Sequence, residues 1–261
     1  MHGALFVAKT GLSAQDTSLK VISNNLANVS TVGFKKDRVV FEDLMYQIQR
    51  QPGAQSAEDS QLPSGLQLGS GVRVAGTQKL FQEGELQTTG EAFDIAIAGR
   101  GFWEVTLPNG DAGYTRQGQF QLNSDNEIVT SEGYVLAGGI TLPAEVQSMT
   151  VGVDGTVSAL VQGSATPQQI GQLQLADFVN PQGLQAYGQN LFLETAASGT
   201  PTLANPGEGG TGQLRQGMLE GSNVNAVEEL VNMITTQRAY EMNSKVISTA
   251  DQMLSFVTQN L

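Results

Sequence analysis

From Asn225 to Leu261 the chain contains neither proline nor glycine, and its apolar residues recur at steps of three and four: Val227, Leu230, Val231, Ile234, Met242, Val246, Ala250, Met253, Val257 and Leu261. This spacing predicts one long amphipathic helix. Asn225 followed three places on by Glu228 predicts an N-cap of the capping-box type, Glu229 adds negative charge to the first turn, and Glu241 with Lys245 makes a favourable i,i+4 pair. At about 1.5 Å per residue such a helix is roughly 50 Å long, and its stripe needs a partner of similar length.

Only the N-terminus can supply one. Leu5, Leu12, Leu19 and Leu26 fall seven apart, with Ala8, Gln15, Ile22 and Val29 as companion positions, which is the a/d seam of a coiled coil. The two ends of the chain are therefore expected to pair. The C-terminal stripe keeps no strict heptad, since Ile234, Met242 and Val246 advance by unequal steps, so the packing should be uneven. Phe6, Val7, Val21, Met233, Ile247 and Phe256 flank these seams and are expected to meet neighbouring copies.

Charge separates the ends from the middle. Residues 1–38 carry five bases against two acids, and residues 216–261 carry two bases against five, so the ends cancel. The whole net charge of −12 lies between residues 39 and 215, which argues against nucleic acid as a partner. There is no cysteine, hence no disulfide and no thiolate metal site. No stretch is long and apolar enough to span a membrane, and the opening MHGALFVAKTGLSAQ lacks the basic start and cleavage site of a secretory signal.

Past the first helix, Asn24, Asn25 and Asn28 are weak helix formers that bond to nearby backbone, and Gly33 is a turn residue before Phe34. Together they read as a helix exit. Phe41 to Gly71 begins as a possible short helix and becomes a polar loop or extended hairpin, punctuated at Gln51-Pro52-Gly53 and Pro63-Ser64-Gly65. From Val72 the pattern has period two. Expected strands are 72–81, 94–98, 102–107, 119–122, 127–130, 134–137, 149–153, 156–162, 171–179 and 190–194, with hairpin signals at 108–111, 123–126 and Asp154-Gly155, the last a type I′ candidate. Residues 196–212 read as loop.

The expected fold class is α+β: N- and C-terminal helices paired as a coiled-coil layer, with an antiparallel β-rich domain inserted between them. The expected division is 1–38 (helix and exit loop), 39–71 (connecting segment), 72–215 (outer β domain) and 216–261 (C-terminal helix).

Catalytic chemistry finds little support. His2 is the only histidine, so no Ser-His or Cys-His nucleophile can be assembled in the β region. Gly99-Arg100-Gly101 lacks the spacing and the lysine of a phosphate loop, and Asn123–Glu127 lacks the downstream glycine and glutamate of a calcium loop. Asp94 and Glu104 could in principle serve a glycosidase, but nothing puts them in one cleft. No catalytic residue, cofactor or metal is expected.

The runs TGLSAQDTSLKVISNNLANVSTVGFKKDRVVFEDL and LEGSNVNAVEELVNMITTQRAYEMNSKVISTADQML, with FQEGELQTTGEAFDIAIAGRGFWEV between them, resemble the flagellar rod and hook protein family over most of the chain. Trp103 stands where that family usually has phenylalanine, and is expected to be a core aromatic. The resemblance implies a structural subunit whose terminal helices line a hollow helical tube, with the β region outward. It implies as partners other copies of the chain, proximal rod subunits, the hook protein or hook-side junction, the peptidoglycan and outer-membrane ring proteins, and the flagellar type III export apparatus, the last accounting for the missing secretory signal. Length and the 46–68 run are less like the hook protein, which is longer, or the proximal rod subunits. That run is expected to lie against neighbouring subunits and stiffen the tube. An unrelated reading, a secreted β domain binding or cleaving cell-wall glycan, would need a defined soluble oligomer and a glycan cleft.

Overall fold

The computed structural model describes residues 2–51, 53, 55–57, 60–61, 64–143, 146–163 and 166–259. They form two compact units: Met1–Ala27, Asp37–Gln78 and Asn225–Leu261 make the first, and Asn28–Lys36 with Lys79–Val224 the second. The fold class is α+β, with a helix at each end of the chain and antiparallel strands between.

In the first unit α1 (His2–Ala27) packs along α2 (Ala226–Gln259). Between them in sequence come β1 (Asp37–Asp43), β2 (Tyr46–Arg50), β3 (Gln55–Ala57), β4 (Ser60–Gln61), β5 (Leu66–Gly69) and β6 (Val72–Lys79). Strand β1 pairs with β6, β2 with β5 and β3 with β4. The stretch after Phe41, expected to begin as a short helix, is extended instead. Val39, Val40 and Phe41 are β-branched or aromatic, and each fits a ladder better than a helix turn.

The second unit holds β7 (Leu86–Thr88), β8 (Ile95–Ala98), β9 (Trp103–Thr106), β10 (Ala112–Thr115), β11 (Phe120–Leu122), β12 (Ile128–Thr130), β13 (Val135–Leu136), β14 (Val146–Val151), β15 (Thr156–Val161), β16 (Gln168–Gln172), β17 (Leu175–Asp177), β18 (Gln185–Gly188), β19 (Leu191–Leu193), β20 (Thr202–Ala204), β21 (Gln213–Gln216) and β22 (Met218–Glu220). Seven of them form one sheet in the order β11-β12-β13-β9-β10-β19-β18, and β14-β15-β16 form a second. The C-terminal strands β21 and β22 return to pair with β8 and β7.

Four expectations fail here for identifiable reasons. The single strand expected over 171–179 is two strands in different sheets, because β16 pairs with β15 whereas β17 pairs with β20. Strand β20 itself lies inside 196–212, which reads as loop by composition; ladder bonds to β17 outweigh the weak local preference. A type I′ turn needs positive φ at both central residues, but only Gly155 has it (φ 87°). The 152–155 connection instead closes with the Gly155 amide donating to the Gly152 carbonyl (3.1 Å) and the Gly152 amide to the Thr156 carbonyl (2.8 Å). Strands β7, β10, β18, β21 and β22 escape the pattern because each is only three or four residues long.

Alternation places the core. On β9, Trp103 and Val105 point inward and Glu104 does not, and they join Ile95, Ile97, Phe120, Ile128, Leu173, Leu175 and Leu214 in one apolar cluster. A second cluster is aromatic: Phe81, Phe102, Tyr114, Phe178 and Phe192 meet edge to face at 4.8 to 6.0 Å between centroids. Trp103 is wholly buried, packs edge-on to Phe120 at 5.4 Å, and leaves its indole N–H as the one buried side-chain donor without an acceptor among the described residues.

That orphan donor sets an expectation for Trp103→Phe. Removing it recovers about 1–3 kcal/mol of desolvation cost, which offsets the void left by the smaller ring. Urea unfolding should find Trp103→Phe within about 1 kcal/mol of the parent and Trp103→Ala about 3–5 kcal/mol less stable.

Candidate assembly surface

The α1 seam lies where the heptads put it. Ala8 and Ile22 are buried, and Leu5, Leu12, Leu19 and Leu26 are half-buried; Val29 falls just past the helix end. On α2 the seam is not the one expected. Glu229, Thr236 and Ala250 are buried and Asn243 half-buried, spaced seven apart, with half-buried Met233, Ile247 and Leu254 beside them. Asn243 lies against Gly11, its Nδ2 3.0 Å from where a Cβ on that glycine would sit. The face turned to α1 therefore does keep a strict heptad, but mostly with polar or small residues, and it includes Met233 and Ile247, which were expected on the outer flank.

The apolar stripe that dominates the sequence faces away. Val227 is 71% exposed and Met242 62%, and Leu230, Val231, Ile234, Val246, Met253 and Phe256 are exposed with them. The correction has a physical cause: periodicity locates a stripe without saying whether it is satisfied inside the chain. Val257 belongs to α2, but its side chain lies outside the described residues, as does Leu261 altogether.

A second unsatisfied surface is the β2–β5 hairpin. Tyr46 pairs with Gly69, Gln47 with Leu68 and Ile48 with Gln67, and every residue of both strands is exposed, among them Tyr46, Ile48, Leu66 and Leu68. An isolated two-stranded ribbon is marginal in water, so its apolar side chains need something further to bury them. At its base, Gly71 (φ 115°) packs on Thr10 so closely that a Cβ would collide with the hydroxyl. Gln51 and Gly65 flank the hairpin and Gly53 has φ 79°; Pro52 and Pro63 lie outside the described residues.

The helix ends are capped by the expected asparagines, in different ways. Asn225 Oδ1 accepts from the amides of Val227 (3.0 Å) and Glu228 (3.3 Å), and Glu228 and Glu229 place negative charge in the first turn of α2. Asn25 is buried and clamps Asp37, donating to its carbonyl and accepting from its amide, both at 2.9 Å. Asn24 is exposed in the last turn of α1, and Asn28 accepts from the Thr31 hydroxyl at 3.1 Å. Gly33 (φ 70°) donates to the Glu220 carbonyl at 2.8 Å, and a Cβ there would sit 2.8 Å from the Gln117 nitrogen.

Sequence reading missed the group beside Gly33. Glu220 is buried with Lys35 Nζ 2.7 Å from one carboxylate oxygen and Arg116 Nε 2.9 Å from the other. Gly84 also donates to Oε1 at 3.0 Å, Lys35 donates to the Gln82 carbonyl at 2.7 Å, and Arg116 donates to the carbonyls of Gly99 and Gly101. Burial alone would raise the Glu220 pKa, but Arg116 and Lys35 reverse that and hold it below its ordinary 4.5; burial draws Lys35 downward against the pull of Glu220. Next to this group Asn223 takes the Lys36 amide at 2.7 Å and donates to the Leu80 carbonyl at 2.8 Å. Isolated charges inside polar stretches give no periodic signal; only Lys35 and Glu220 fall within the quoted motifs, and Arg116 lies outside them.

The catalytic alternatives do not assemble. The cavity beside Asp94 is lined by Glu91, Phe93 and residues 119–122, without Glu104. Glu104 instead faces Tyr114 across β9 and β10; burial, with Glu104 and Glu194 nearby, pushes the Tyr114 hydroxyl up to about 12. In the 123–127 turn Asn123 Oδ1 accepts from the amides of Asp125 and Glu127, so that side chain is spent on the turn. Among the described residues no group of three or more acidic, His or Cys side chains is placed to hold a metal.

Family profiles match three regions: "Flagella basal body rod protein" over residues 5–35, "Flagellar hook protein FlgE/F/G D1 domain" over 96–159, and "Flagellar basal body rod FlgEFG protein C-terminal" over 215–260. The chain is 54% identical over 259 residues to the flagellar basal-body rod protein FlgG of Buchnera aphidicola subsp. Schizaphis graminum, covering 99% of this chain and all of the relative. It belongs to the flagellar basal-body rod protein family. FlgG proteins of Caulobacter vibrioides (48% over 257 residues, 98% of each chain) and Bacillus subtilis (39% over 259 residues, 97% of each) are similar along their length too. Each of the three matched regions contributes one member of the buried charge group: Lys35, Arg116 and Glu220.

Because its folded pKa is depressed, Glu220 contributes stability that is whole above about 4.5 and drains away as pH falls from there through the folded value. Glu220→Gln leaves Lys35 and Arg116 buried without a counter-charge and should cost about 3–5 kcal/mol. Melts between pH 7 and 3 should show a lower midpoint at neutrality and a flatter acid dependence in the variant than in the parent.

Proposed function

We propose that the chain is the subunit of the distal segment of the flagellar rod, a hollow helical shaft that transmits torque from motor to hook and carries the export channel. The observation that supports this most directly is the exposed apolar stripe of α2, roughly 40 Å of Val, Leu, Ile and Met that α1 leaves uncovered among the described residues. A stripe of that length and chemistry suits another helix. In the polymer the terminal helices form the inner wall, and the second unit carries fifteen acids against six bases. The chain reaches the growing tip through the flagellar type III apparatus. Its neighbours are proximal rod subunits below, the hook protein or hook-side junction above, and the peptidoglycan and outer-membrane rings around it. Weak pairing of α1 and α2 in the free subunit delays full ordering of the ends until addition to the tip, which suppresses premature polymerisation. No catalytic step is part of the role. The β2–β5 hairpin lies on neighbouring subunits and stiffens the shaft.

Concentrated protein should form straight hollow tubes in negative-stain images. Val231→Asp with Ile234→Asp, at positions already exposed, should change the melting midpoint little and abolish the tubes. A parent protein that stays monodisperse, or variants that assemble as well as it does, would remove the proposal. Deleting residues 46–68 should yield tubes of lower bending stiffness in images of long filaments; unchanged curvature would show that the hairpin plays no such part.

A further inference from the structure

Two stripes run along α2, and α1 meets the less apolar of them. Eight exposed Val, Leu, Ile, Met and Phe side chains, each worth about 1.5–3 kcal/mol on full burial, lie on the other. Apolar burial alone would turn that second stripe inward.

Geometry explains why it does not. Gly11 of α1 lies against Asn243 of α2, and Ala8 and Ala14, three residues to either side of it, are buried. Small residues let two helices approach closely, and the buried heptad positions of α2 on either side of Asn243 are modest as well: Thr236 and Ala250. Thr236 satisfies its own hydroxyl on the Asn232 carbonyl at 2.7 Å, and Asn25 is satisfied on Asp37, so the polar members cost little when buried. Asn243 lies against the bare Gly11, its Nδ2 3.0 Å from where a Cβ would sit, a fit that favours one rotation and register as a polar residue does in a coiled-coil seam. Turning α2 to bring Ile234, Met242 and Val246 inward would force branched and long side chains against that close-packed face.

We propose that this small, polar seam is a face selector: Gly11 with Asn243, supported by Thr236 and Ala250, holds α1 on one side of α2 and reserves the apolar stripe for α1 of a second copy. The identity of the occupant rests on the polymer reading above. Charge supports it: α1 carries Lys9 and Lys20 against Asp16, whereas α2 carries Glu228, Glu229, Glu241 and Asp251 against Arg238 and Lys245. Exposed Phe6 and Val7 give α1 its own apolar patch, unlike the α2 stripe in length and in sign. Two unlike patches that attract each other form a heterologous contact, which extends into an open helix of subunits where a self-matching patch would close a dimer.

The chain has no cysteine, so paired cysteines report the faces directly. With a short bis-maleimide, Gly11→Cys with Asn243→Cys should link within one chain, in the soluble protein and in tubes. Gly11→Cys with Val246→Cys should not link within a chain, while Phe6→Cys with Val246→Cys should link between copies once tubes form. Adding Thr236→Leu and Ala250→Leu, which put bulk into the seam, should shift the ratio of 243 to 246 linking by about tenfold toward 246, the equivalent of about 1.4 kcal/mol. Equal intrachain linking of 243 and 246 in the unaltered seam overturns the proposal. Tubes that lack the 243 link overturn the selector alone and leave the polymer reading intact; a 243 link in protein that never forms tubes overturns the occupant together with that reading.

Discussion

One carboxylate, Glu220, neutralises two buried cations that arrive from far away in the sequence. Lys35 lies just beyond the first helix, Arg116 follows the fourth strand of the second unit, and Glu220 ends the last strand before α2. None of the three can be buried alone, since an unpaired charge in a dry interior costs several kcal/mol. Their meeting makes folding of the second unit depend on both of its ends at once. Gly33, Gly84 and Asn223 crowd the same place for related reasons: a bare Cα and spare hydrogen-bonding groups are needed where several chain segments converge.

The two units solve their burial problems differently. The second is conventional, with alternating strands around Trp103, Ile95 and Leu175 and a nearby cluster of edge-to-face aromatics. The first has little core of its own. Its helices touch through half-buried leucines on α1 and mostly polar or small residues on α2, and its longest apolar surfaces, the α2 stripe and the β2–β5 hairpin, remain outside. A chain that invests its best helix-forming, most regular segment in an unburied stripe is organised for association, and kinship with flagellar rod proteins agrees with that physical reading.

Much of this was legible from residues alone, and the misses are instructive. Both helices, the α1 seam, the Asn225 cap and the general extent of the strands follow from periods of 3.6 and 2 and from capping chemistry. Which face of α2 meets α1 does not, because hydropathy reports how apolar a stripe is and not whether its partner is in the same chain. The triad at Glu220 was invisible for another reason: Lys35, Arg116 and Glu220 look like ordinary solvated charges until tertiary structure encloses them. Short strands such as β20 owe their existence to a ladder partner, in this case β17, and so carry no signal of their own.

Gly33 and Phe34 on the way in, and Glu220 and Asn223 on the way out, are backbone neighbours: the Gly33 amide reaches the Glu220 carbonyl at 2.8 Å and the Asn223 amide the Phe34 carbonyl at 3.4 Å. The second unit thus has its first and last segments clasped together. Whatever lies between residues 79 and 220 can grow, shrink or be exchanged over evolutionary time while the residues entering and leaving stay where they are, so that part is a replaceable cassette and the clasp its fixed socket.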